Sequence, residues 1–228
     1  MGAQLHVTKL VAAQRQLRAA IRMFFAGEDE LAIHTVASAA YQIIADLKAK
    51  RGRDEVGDYY LTIIFYAVRD YHRGTLPKLF TDNPEAMKWI QEMAEQLPIT
   101  ASMKYEDIRG AVSEETAREW WRKRNKFSNF LKHADRDAKA HISLQEIDNL
   151  NLLTLALASY SDLVKDDLGA EGLTLWIYFN VVTKTKEQLP ERYRDIANDL
   201  DEYDPDEQLR LCSLFIDRMN ESDAQPSH

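Results

Sequence analysis

Residues 56–72 read VGDYYLTIIFYAVRDYH, and the fold class turns on them. By composition the run YYLTIIFYAV at 59–68 is a buried strand, rich in aromatic and β-branched residues. Its length and its neighbours favour a helix buried nearly all round. If 56–72 is helical, nothing else in the chain argues for a sheet. The chain has only 8 Gly and 6 Pro, too few to turn a sandwich of short strands.

The segments on either side repeat apolar residues at helical spacing. Upstream, a helix over about 8–26 carries Leu10, Leu17, Ile21, Phe24 and Phe25, with Gly27 as its stop. A second, over about 29–49, carries Ile33, Val36, Ala40, Ile43, Ile44 and Leu47. The short connection predicts an antiparallel hairpin. Downstream, Asn83-Pro84-Glu85 reads as N-cap, first-turn proline and first-turn acid of a helix that Leu97-Pro98 ends. Residues 98–112 read as a loop, and Ser113-Glu114-Glu115 opens a helix to about 133. Ser143-Leu144-Gln145-Glu146 has the form of a capping box, predicting a long helix stopped by Gly169. A helix over 171–188 presents Leu173, Trp176, Ile177, Val181 and Lys184. Pro190 begins an acidic helix, Asp204-Pro205 breaks it, and Leu209, Leu211, Leu214 and Phe215 carry the last one. The expectation is one all-α domain over 1–219, a bundle of eight or nine helices built around the long hairpin. A disordered tail is expected at 220–228.

A 228-residue chain with 45% apolar residues can bury a core. It has no run of about 18 apolar residues, so no membrane-spanning helix is expected. The N-terminal stretch is interrupted by Gln and Arg and does not read as a signal peptide. His6 stands where a myristoylation motif needs Ser or Thr. The single cysteine, Cys212, excludes an internal disulfide and a multi-cysteine metal site, which fits a cytoplasmic location. It lies in an apolar helix and reads as an inert core thiol.

The net charge is −8, yet 118–139 holds eight Lys/Arg against three acids, a local +5. On a helical wheel Trp120, Phe127, Leu131 and Ala134 share one side, flanked by Trp121 and Phe130, and read as core. Arg118, Arg122, Lys126, Asn129 and His133 share the other. That face is either a solvated basic surface or an anion site with a histidine poised for proton transfer. In the second case His133 is the general base, Arg122 and Lys126 clamp phosphate, and Asn129 orients. Arg124 falls in the apolar sector, where snorkelling, stacking on Trp121 or pairing with an acid is expected, and it joins Arg118, Arg122 and Lys126 as a candidate for the anion site. Asp135 and Asp137 sit in the exit loop. A calcium loop there fails, since Ala138 replaces the needed glycine and Lys139 repels a cation, so no metal and no other cofactor is expected. His34 lies among Ala37, Ser38, Tyr41 and Ala45, a small-residue face suited to close helix packing. It reads as a hydrogen-bonded interface histidine, with a homodimer through that face as one outcome. The alternative sets it facing His133 across a cleft.

Two segments, LAIHTVASAAYQIIADL at 31–47 and FSNFLKHADRD at 127–137, resemble a group of uncharacterised bacterial all-helical proteins. They share the pattern IHT-small-AAY-x-I near the start and NF-x-KHADRD near the middle. More distantly, a helical chain with an Arg-Asn pair upstream of a His resembles HEPN-type proteins. Those include metal-independent ribonucleases and helical dimers. That resemblance implies RNA or nucleotide binding through 118–139. The HEPN motif spaces Arg and His by four to six residues, whereas eight separate Arg124 from His133 here, which favours a non-catalytic reading. The alternative is a helical scaffold whose basic patch meets an acidic protein partner. The 191–223 segment of a second copy, with eleven acids against four bases, is one such surface.

Overall fold

The computed structural model describes residues 6–51, 59–108, 115, 118, 122, 125–132, 139–165 and 168–224. Among them there is no strand. The α-helices are α1 (Lys9–Phe25), α2 (Glu30–Lys50), α3 (Tyr59–Arg73), α4 (Lys78–Thr81), α5 (Pro84–Gln96), α6 (Lys126–Lys132), α7 (Asn149–Val164), α8 (Ala170–Val182), α9 (Glu191–Asp201) and α10 (Pro205–Ala224). Setting aside the single turn α4, the described helices number nine. The deciding run 59–68 is helical, as its length predicts.

The termini of these helices follow local chemistry. Thr8 caps α1 by accepting from the Val11 amide, and Gly27 ends it at φ +66°. Asp29 Oδ1 accepts from the Leu31 and Ala32 amides at the head of α2, both at 3.0 Å. Asn83 accepts from Glu85 and Ala86, with Pro84 in the first turn of α5. The expected capping box does not form. Ser143 makes no side-chain cap bond and 144–146 is a 3-10 turn. The helix starts later, where Asp148 Oδ1 accepts from the Asn151 amide at 2.9 Å. It also stops earlier than Gly169, because Lys165 takes the left-handed conformation at φ 59°. The last helix continues to Ala224, into the stretch expected as a tail.

The chain forms two compact units, residues 1–44 with 127–228, and residues 45–126. The second has its own core of Ile64, Phe65, Val68, Leu97, Ile99 and Ile108, with Trp89 and Tyr105 packed against it. α3 supplies three of these six and packs on α5.

The first unit is organised around α8, which packs against α1, α7, α9 and α10. Its apolar side chains do not form a stripe. Leu175, Ile177, Tyr178 and Val181 are buried, and so are Gly172, Thr174 and Asn180. Trp176, expected on the buried stripe, is 38% exposed. Gly172 lets α7 come close, since an added Cβ would lie 2.7 Å from Leu168 Cβ and 3.1 Å from Leu157 Cδ1. Two polar clusters fix the ends of α8. At its start Glu171, 1% exposed, is held by Arg22 and, at 3.7 Å, by Arg18, both from α1. Arg18 Nε also donates to the Leu168 carbonyl at 3.1 Å. At its end Asn180 Nδ2 donates to the Trp176 carbonyl, and Thr185 donates to Asn180 Oδ1, both at 2.8 Å.

Candidate functional site

The small-residue face of α2 is the core face. His34, Ala37, Ala40, Tyr41, Ile44 and Ala45 are all buried, and Ala37, Ala40 and Ile44 show no exposed surface. This corrects two expectations. Val36, Ile43 and Leu47 are only half-buried, so the buried sector is turned toward the alanines. A homodimer cannot use a face already covered within the protomer. Asn149 and Phe127 are among the side chains that meet this face at His34. Lys48 continues this face at 1% exposure and is engaged by neighbours, as a buried ammonium requires.

His34 is placed from three sides within the first unit. Its Nδ1 lies 3.3 Å from Oδ1 of Asn149, the first residue of α7. Asn149 Nδ2 donates to the Glu30 carbonyl at 3.0 Å. That bond fixes which end of the amide faces His34 as the oxygen, an acceptor. The imidazole must therefore carry its proton on Nδ1 and leave its lone pair on Nε2. The Phe127 ring meets His34 edge-on, 5.6 Å between centroids. Burial lowers the His34 pKa below its ordinary 6.5, and the Lys132 charge adds to this, while the Asn149 hydrogen bond opposes both. The imidazole is neutral and oriented, and at 7% exposure it is shielded from solvent. The structural reading of His34 therefore holds, with Asn149 as the unforeseen partner 115 residues away.

Phe127 and Lys132 belong to α6, a seven-residue helix with a clear division of faces. Phe127, Ser128, Phe130 and Leu131 are half-buried, while Lys126, Asn129 and Lys132 are exposed. The apolar sector expected to be core is thus half-buried rather than fully buried. The expected single helix to 133 is also interrupted, because Asn125 stands in a turn before α6. Asparagine favours such a turn by bonding to local backbone. Arg118 and Arg122 are helical and exposed, and Lys139 is exposed beyond α6. His133, Arg124, Trp120, Trp121, Asp135 and Asp137 lie outside the described residues, so the structure gives no position for the expected general base. His34 faces Phe127 and lies within the electrostatic reach of Lys132, the residue before His133.

Cys212 is 4% exposed, and burial pushes its thiol pKa up to about 12. It is a thiol, not a thiolate, at neutral pH, in keeping with the inert role expected of it. Among the described residues no cluster of His, Cys, Asp and Glu is placed to hold a metal ion. No described helix is long and apolar enough to cross a membrane.

Comparisons with protein-family models, with curated proteins and with solved structures find no match to this chain.

Proposed function

We propose that this chain is a HEPN-like helical protein that binds RNA or a nucleotide through the basic segment 118–139, without cutting it. The observation that carries the reading is the segregation on α6. The apolar side chains turn inward and Lys126, Asn129 and Lys132 turn to solvent. Arg118, Arg122 and Lys139 are exposed on the same stretch of chain. Exposed Lys and Arg attract phosphate by charge, and Arg adds a planar pair of donors that matches phosphate oxygens. Half-buried Phe127 and Phe130 anchor the helix that carries these groups.

Two points favour binding over cleavage. The oriented neutral imidazole of His34 is buried and its Nδ1 is occupied by Asn149, so it cannot reach a ribose hydroxyl. Cleavage would rest on His133 alone, at a spacing from Arg124 longer than the HEPN motif uses. The test is fluorescence anisotropy with a labelled single-stranded RNA, together with a gel assay for cleavage. Lys126→Ala should weaken binding severalfold, and His133→Ala should leave it unchanged. Wild-type protein should release no cleavage product. Cleavage lost in His133→Ala would replace this reading with the ribonuclease one, and wild-type binding equal to Lys126→Ala would remove the site.

A further inference from the structure

Away from the basic segment, α8, α9 and α10 enclose a cavity of about 360 Å³ in the first unit. Ile177, Leu211 and Phe215 form apolar walls, and Cys212 contributes a protonated thiol. The mouth is also apolar, because Ile196, Tyr203 and Leu214 are 39%, 49% and 39% exposed. Exposed apolar residues scattered singly mean little, but three around one concavity mark a surface built to meet an apolar body. The volume falls in the range of small-ligand pockets, roughly 300–1,000 Å³.

Two charged groups, Asp199 and Arg218, also line the cavity. Arg218 stands out by the company it keeps. Residues 191–223 hold four arginines among eleven acids. Arg210 pairs with Glu207, Arg194 donates to the Leu189 and Glu187 carbonyls, and Arg192 lies over the Tyr193 ring. Arg218 makes no ion pair or hydrogen bond among the described residues, although carboxylates surround it in sequence. Of the four arginines, Arg218 alone among the described residues has neither an ion pair, a hydrogen bond nor a ring contact. We propose that this cavity binds a small amphiphile, an alkyl or aromatic body bearing one carboxylate. The body lies against Ile177, Leu211 and Phe215, and the carboxylate takes the paired donors of Arg218 at the mouth. Tyr203 also lines the cavity and carries a hydroxyl donor, and Asp199 opposes the anion.

The test is isothermal titration calorimetry of the full chain with decanoate, decylammonium and 1-decanol. Decanoate should bind saturably at one site, at least tenfold more tightly than decylammonium or decanol. Arg218→Gln should weaken decanoate about tenfold and bring it level with decanol, and Asp199→Asn should tighten it. Leu214→Asp, at an exposed position that should not disturb folding, should weaken decanoate through a like charge at the mouth. Preference for decylammonium, or decanoate binding indifferent to Arg218→Gln and Leu214→Asp, would overturn the assignment. So would a dimer in sedimentation that Leu214→Asp dissociates and decanoate does not, which would give the cavity to a second copy.

Discussion

His34 shows how a single side chain can be read correctly in kind and incompletely in partner. Its setting among small residues points to a packed, hydrogen-bonded histidine. The acceptor, Asn149, is fixed only when α7 docks, and nothing local to either residue announces the pair. The geometry carries a pH consequence. Because burial holds the folded-state pKa of His34 below its ordinary 6.5, the unfolded chain takes up a proton there before the folded protein does. The stability that His34 contributes is therefore complete above about pH 6.5 and is lost as pH falls toward the lowered value. In thermal melts from about pH 7.5 to about pH 5, wild type should lose more stability than His34→Gln. Parallel curves would show that the ring is not buried neutral. Phe127, read from the wheel as core, is half-buried beside His34. Phe127→Ala should then cost about 1.5–3 kcal/mol by chemical denaturation, less than a fully buried phenylalanine.

Helix ends were legible where the cap is short-range and ambiguous where two caps compete. Asn83 and Gly27 act at the positions their types suggest, and the Thr8 cap of α1 emerged only with the structure. Ser143 and Asp148 are both plausible caps a few residues apart, and Asp148 wins because it leads into Asn149, whose amide is tied to α2. Tertiary contact therefore selects between equivalent local signals. Asp148→Ala should cost about 1 kcal/mol and Ser143→Ala close to nothing. The Arg18–Arg22–Glu171 cluster was not legible, since it joins α1 to α8 across about 150 residues. Its members differ in a way that sets their mutational cost. Glu171 is buried, whereas the Arg18 and Arg22 side chains are 38% and 47% exposed. Removing Arg22 leaves a buried carboxylate with only the longer contacts to Arg18, at 3.7 Å, and Asn220, at 3.5 Å, whereas removing the charge from Glu171 leaves arginines that water can solvate. Arg22→Ala should cost about 2–3 kcal/mol and Glu171→Gln about half of that, by urea denaturation. The reverse order would show that the carboxylate is not desolvated as placed.

At the scale of the whole molecule the all-α class was legible because periodicity is a property of every segment at once. The division into units was not. The chain leaves the first unit near residue 44 within α2 and returns at 127 within α6, so both crossings run through helices. A boundary of that kind has no glycine, proline or polar linker to mark it. The basic segment was visible as composition, and the helical wheel already set its cations opposite its aromatics, while the half-burial of those aromatics and the break at Asn125 needed α6 in place. The central claim is that those cations engage phosphate, and the most direct measurement is the salt dependence of RNA binding. The logarithm of the binding constant should fall linearly with the logarithm of salt concentration, with a slope of about −0.7 for each phosphate neutralised on a single strand. In the triple variant Arg122→Ala, Lys126→Ala, Lys132→Ala the slope should become shallower by about 2. Binding with the same slope in wild type and variant, or no binding at low salt, would contradict the account.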